Sequence, residues 1–192
     1  MPRFIFVILL LFISTIIYGQ KSRDKKTPPL PNLSEMGCIK KYDYSLSQRL
    51  KNYPFHIADK IMVVSFNIKR DSLNLLQEGK LPQENDRLKT KEISETIPLN
   101  KNQTDSLTDI LYNYDYESNV GTITHNCFNP RHAIVFLDKS DKVIGYIEIC
   151  FECSGNQTSD EKIKTGNFCG GKYDLLQDFF KHIGIERGFV IE

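Results

Sequence analysis

The chain has 192 residues, 40% of them hydrophobic and 11% aromatic, enough for one domain with a core of ordinary size. Its 25 lysines and arginines are balanced by 24 aspartates and glutamates, so no strong field draws it to nucleic acid or anionic lipid. The five cysteines are the compositional feature that calls for an explanation.

The chain opens "MPRFIFVILLLFISTIIYGQKSRDKK", in which one early arginine precedes an apolar run from Phe4 to Ile17, followed by Gly19, Gln20 and a basic patch. This is the pattern of a secretory signal peptide over residues 1–19. A membrane-spanning helix needs about 20 apolar residues; this run is shorter and is diluted by Ser14 and Thr15, so no stable membrane anchor is expected after cleavage. The protein is therefore expected to be exported, to the periplasm or beyond the cell. Residues 20–37 combine charge with three prolines and offer too little apolar surface to order, which makes them a tether. Residues 38–192 form the domain.

"KIMVVSFNIK", residues 60–69, is short and rich in β-branched residues, and reads as a buried strand. "TKEISETIPL" supplies a second, more polar one. Asn100 then opens a helix over 100–114, with Gln103 at capping-box spacing and Leu107, Ile110, Leu111 and Tyr114 on one face. A second helix is predicted over 173–183, where Leu175, Leu176, Phe179, Phe180 and Ile183 recur at helical spacing and Gly184 supplies the stop. His182, in its last turn, is explained by the negative end of the helix dipole.

Between these helices "RHAIVFL" and "KVIGYIEIC" flank a turn centred on Lys139–Asp141, which predicts a β-hairpin over about 131–150. The expected fold is a single α+β domain whose antiparallel sheet is centred on this hairpin. A regular register opposes Leu137 with Val143, His132 with Glu148, Pro130 with Cys150, and Cys127 with Cys153. It sets His132, Ile134, Phe136, Ile144, Tyr146, Glu148, Cys150 and Glu152 on one face, and Ala133, Val135, Leu137, Val143, Ile147, Ile149 and Cys153 on the other. A slip of one residue would exchange the faces of a whole strand.

Three chemistries fit the cysteines around this hairpin. In an oxidising compartment Cys127 and Cys153 are placed to form a disulfide, with Cys150 and Cys169 as a second pair and Cys38 left over. Cys127, His132, Cys150 and Cys153 also supply a ligand set that zinc accepts, although the register puts His132 and Cys153 on opposite faces. Finally, Cys150 can be a thiolate nucleophile, with His132 as its base, Glu148 orienting the imidazole and Arg131 holding an anion, as in a cysteine-dependent hydrolase or transferase. No Gly-rich loop or nucleophile elbow accompanies them, and no cofactor is expected.

The segments "CFNPRHAIVF", "IEICFEC" and "FCGGKYDLLQDFFKHIGI" together resemble a family of uncharacterised exported proteins of Bacteroidetes. The resemblance runs from about Leu99 to Ile185 and rests on Cys127, Pro130, Arg131, His132, Cys150, Cys153 and Cys169. It implies a shared domain and an envelope or extracellular location, and it carries no catalytic residue across. The leading expectation is a disulfide-stabilised domain that binds an unknown ligand or protein partner. Cysteine catalysis and a structural zinc site are the alternatives.

Overall fold

The computed structural model describes residues 37–67, 79–117 and 127–189. The predicted signal peptide and almost all of the tether lie outside the described residues. Twelve elements are described: β1 (Cys38–Lys40), α1 (Leu46–Arg49), β2 (Lys60–Phe66), β3 (Gln83–Glu84), β4 (Arg87–Leu88), β5 (Ile93–Pro98), α2 (Lys101–Asn113), β6 (Tyr114–Tyr116), β7 (His132–Leu137), β8 (Val143–Cys150), β9 (Gly155–Thr158) and α3 (Gly170–Ile183).

The two apolar runs around the turn pair as β7 and β8 and lie at the middle of a five-stranded antiparallel sheet, in the order β5-β2-β7-β8-β9. All six residues of β7 are buried, which follows from its position: a central strand covered on both faces needs apolar residues at every position rather than at alternate ones. On one face Val63, Ile134, Phe136, Ile147 and Ile149 pack against Leu107 and Leu111 of α2 and Leu176, Phe179 and Phe180 of α3. On the other, Val64, Phe66, Ala133, Val135 and Leu137 are covered by Leu81, with Leu88 and Ile93 at the margin. The result is the α+β domain expected, with its helices on one side. Among the described residues no helix is long and apolar enough to cross a membrane.

Both long helices have the ends their sequences encode. Asn100 caps α2: its side chain accepts from the Gln103 amide at 2.9 Å while Gln103 Oε1 accepts from Asn100 N, also at 2.9 Å. Gly184 ends α3 in the left-handed region at φ 108°. The observed α3 starts at Gly170, three residues before the predicted 173, because Cys169 takes the extended N-cap conformation and the Gly170-Gly171 pair enters the first turn. Lys172 in that turn is fully buried and donates to the carbonyls of Leu111 (2.9 Å) and Asn167 (2.5 Å). Its ammonium thereby satisfies a carbonyl in the last turn of α2, which no residue of that helix can reach.

The hairpin register differs from the regular one. Leu137 does oppose Val143, but Phe136 opposes Gly145, and beyond that point the pairs are Val135 with Tyr146, Ile134 with Ile147, Ala133 with Glu148 and His132 with Ile149. Ile144 is the unpaired extra residue of a β-bulge. It packs with the helix-side core, and a side chain on neighbouring Gly145 would point the same way, meeting Ile163 of that core at 3.1 Å. Two successive residues on one face shift the rest of β8 by one, and its faces are exchanged relative to those of β7.

Candidate functional site

The bulge takes the predicted catalytic set apart. His132 joins the helix-side core opposite Ile149, whereas Glu148 opposes Ala133 on the other face. Cys150, the residue after Ile149, takes the Glu148 side by strand alternation. The placement of His132, Glu148 and Cys150 on one face is therefore corrected: the imidazole is across the sheet from both partners assigned to it.

Each member has other work. The His132 ring stacks on Phe189 (centroids 4.5 Å apart) and meets Phe151 and Phe180 edge-on at 5.0 and 5.8 Å. Its Nε2 lies 2.8 Å from the Arg187 carbonyl, and since a carbonyl only accepts, Nε2 carries the proton. Burial drives the imidazole pKa down to about 4 against a partial upward pull from the Arg187 carbonyl and Glu95, so near neutral pH the ring is uncharged. Glu148, 5% exposed, accepts from the Leu81 amide at 2.5 Å and so fixes the segment that covers the second face. Arg131 pairs with Glu152 at 3.0 Å, an ion pair across the ends of the hairpin.

The cysteines fall into two pairs and one thiol. Cys127 is joined to Cys153, with Cα atoms 5.8 Å apart, and Cys38 to Cys169, with Cα atoms 5.4 Å apart. Cys150 is free and buried. The second pair predicted, Cys150 with Cys169, is thus corrected: Cys169 sits at the N-cap of α3, where β1 brings Cys38 beside it, while Cys150 stays in the sheet. The zinc set of Cys127, His132, Cys150 and Cys153 does not assemble either. Two of its thiolates are consumed by one disulfide and the imidazole lies on the opposite face; among the described residues no group of three or more metal-ligating side chains comes together.

Among the described residues, two clefts are candidates. The first, about 290 Å³, lies on the Glu148 face between Phe128 and Tyr146, with Lys80, Gln157, Thr158 and Ser159 around it. Its carboxylate is already engaged by the Leu81 amide.

The second cleft, about 360 Å³, lies between α1 and α2 and is lined by Tyr44, Gln48, Arg49, Asn52 and Tyr112. The chain reaches it from β1, and Asn113 at the end of α2 holds the approach: its carbonyl accepts from the Lys41 and Tyr42 amides, and its side chain exchanges hydrogen bonds with Tyr44 N and O at 2.9 and 3.1 Å. Gln48 Oε1 then accepts from both Ser45 N and Ser45 Oγ, which starts α1. Arg49, 5% exposed, crosses to α2, donating to the Asp105 carbonyl at 3.0 Å and pairing with the carboxylates of Asp105 and Asp109. Arg49 Nε and the Tyr112 hydroxyl, on two of the residues that line this cleft, are themselves fully buried and have no hydrogen-bond partner among the described residues. Burial raises the Tyr112 pKa, which keeps the hydroxyl protonated. Beside the cleft the rings of Tyr42 and Tyr44 stack at 5.3 Å and face solvent.

Reading the sequence did not single out these residues, although one signal was there: Ser45 and Gln48 stand at capping-box spacing and announce a helix start at 46. Nothing in the local pattern marks Arg49 as buried, because its partners lie 56 and 60 positions away on α2. No family model, curated protein or solved structure matches the chain.

Proposed function

We propose that the chain is an exported, disulfide-stabilised domain that works by binding a ligand or partner and not by cysteine chemistry. The observation that carries this reading is the isolation of Cys150: the one free thiol among the described residues is buried in a central strand, and the histidine that would activate it is on the other face of the sheet. A thiol is activated by an adjacent base, a cation or a helix N-terminus, and it must be accessible to attack a substrate. Cys150 is 3% exposed.

Export is supported by two cysteine pairs at disulfide distance, since such pairs persist in oxidising compartments, and by the signal-like opening of the chain. Kinship with the exported Bacteroidetes family belongs to the same proposal and rests on the sequence pattern around Cys127, Cys150 and Cys169.

The test is the alkylation rate of Cys150 in folded protein near neutral pH. A binding domain leaves Cys150 unreactive until the fold is opened, and replacing His132 with glutamine leaves that rate unchanged. Rapid alkylation in the folded state, slowed by His132→Gln, would establish a nucleophile and its base instead.

A further inference from the structure

We propose that residues 186–189 form an acid-released strap, which lifts from the sheet when His132 takes up a proton while the rest of the domain stays folded. The device is independent of the binding reading.

The strap is gripped from one row of side chains across three strands. Ser65 of β2 opposes Glu95 of β5 on one side and His132 of β7 on the other, and its hydroxyl donates to Glu95 Oε2 at 2.6 Å. The Glu95 carboxylate in turn accepts from the Glu186 and Arg187 amides at 3.1 and 3.0 Å, and His132 Nε2 donates to the Arg187 carbonyl at 2.8 Å. Both gripping groups are titratable. The near end of the strap is a hinge: Ile185 is buried and stays fixed to α3 through its amide on the Phe180 carbonyl at 3.0 Å, directly after Gly184 at φ 108°. A short terminal segment beyond such an anchor opens at a lower free energy than the core does.

Closure is what buries the imidazole. Phe189 covers one ring face, with centroids 4.5 Å apart, and the Gly188 backbone lies so close that a Cβ there would sit 3.0 Å from His132 Cε1 and 3.2 Å from Nε2. Phe151, between β8 and β9, and Phe180 of α3 close other sides. The Arg187 carbonyl accepts from Nε2–H in either protonation state, so a second proton is opposed by desolvation of the cation, which holds the pKa at about 4 against 6.5 when free. Lifting the strap returns one ring face and the Nε2 edge to water, and the pKa rises towards 6.5. Opening therefore takes up a proton between those values and becomes more favourable as the pH falls through them.

The neighbouring charges do not supply this response. Arg131, Arg187 and Lys181, whose ammonium lies over the Phe189 ring at 5.1 Å, are cationic throughout the window. Carboxylates ordinarily titrate near pH 4, at or below the end of the window. Those present are Glu186 in the strap, Glu152, which pairs with Arg131, and Glu95, which burial pushes up but the Ser65 hydroxyl and the strap amides hold below the usual range. His182, in the last turn of α3, is exposed and is left in place by the variants below.

The test is amide hydrogen exchange in the folded protein at pH 7 and pH 5, each rate being divided by its intrinsic rate at that pH to give an opening constant. The Glu186 and Arg187 amides are expected to open far more readily than the Ile134 amide of the central strand, and about tenfold more readily at pH 5 than at pH 7. His132→Gln keeps a donor for the Arg187 carbonyl and removes the titrating group, so its opening constants should be the same at both pH values. Gly188→Ala leaves Glu95, His132 and Phe189 in place but crowds the closed strap; opening should increase at both pH values, and the His132 titration midpoint, followed by its ring ¹³C resonances, should move up towards 6.5. Glu186 and Arg187 exchanging only together with Ile134, an equal pH response in a folded His132→Gln protein, or an unmoved His132 midpoint in Gly188→Ala would overturn the proposal.

Discussion

His132 and Glu148 stand on opposite faces of the central sheet although their strands leave a common turn with Leu137 directly opposite Val143. The single inserted residue Ile144 separates them. Before the bulge the pairing is that of a regular hairpin, and after it every residue of β8 has changed sides with respect to β7. The functional consequence is large for so small a feature: a nucleophile, its base and an orienting acid would share one face without the bulge, and they do not share it with the bulge present.

Residues on opposite faces with separate partners are energetically independent. A double-mutant cycle of His132→Gln and Glu148→Gln should therefore be additive to within about 0.5 kcal/mol in denaturant unfolding. A larger coupling energy would mean that the two side chains touch and that the register is the regular one.

His132 should also give the domain an acid-sensitive component of stability. Burial among Phe151, Phe180 and Phe189 holds its folded pKa at about 4, against 6.5 when free. Between those values the unfolded chain binds a proton that the folded chain refuses, so stability is lost as pH falls from 6.5 towards 4, by about 3 kcal/mol in all. His132→Gln should lack this component; the comparison of the two proteins across that window isolates it from the carboxylates, Glu95 among them, whose folded pKa values are lowered.

The tight fit over His132 gives a third test. Gly188 sits at φ 85°, and a Cβ there would lie 3.0 Å from His132 Cε1 and 3.2 Å from Arg131 Cβ. Alanine at 188 should cost about 1–3 kcal/mol through backbone strain and the displaced segment, read from the urea midpoint. An unchanged midpoint would show that residues 185–189 are not held against the ring.

What the sequence disclosed and what it hid divide along a physical line. The helix at 101–113, the stop at Gly184 and the existence of the 131–150 hairpin depend on neighbours a few residues away, and the spacing of Asn100 with Gln103 or of Leu176 with Phe180 displays them directly. The bulge at Ile144 has no such signature, since isoleucine before a glycine is equally at home in a regular strand. The partner of Cys169 lies 131 positions away, and local pattern carries no information about a contact at that range. The same holds for Arg49, which reads as an exposed helical residue until α2 is laid against it. Lys172 is hidden for the reverse reason: lysine is expected in water, and only the carbonyls of Leu111 and Asn167 explain its burial.

The central claim, a covalently pinned binding domain with no cysteine nucleophile, is tested most directly by peptide mapping of the protein without reduction, after alkylation first in the folded state and then in denaturant with a second, mass-distinct reagent. The account predicts two cross-linked species, Cys38 with Cys169 and Cys127 with Cys153, and Cys150 carrying only the second label. Cys150 carrying the first label, or found cross-linked to Cys169, would contradict it.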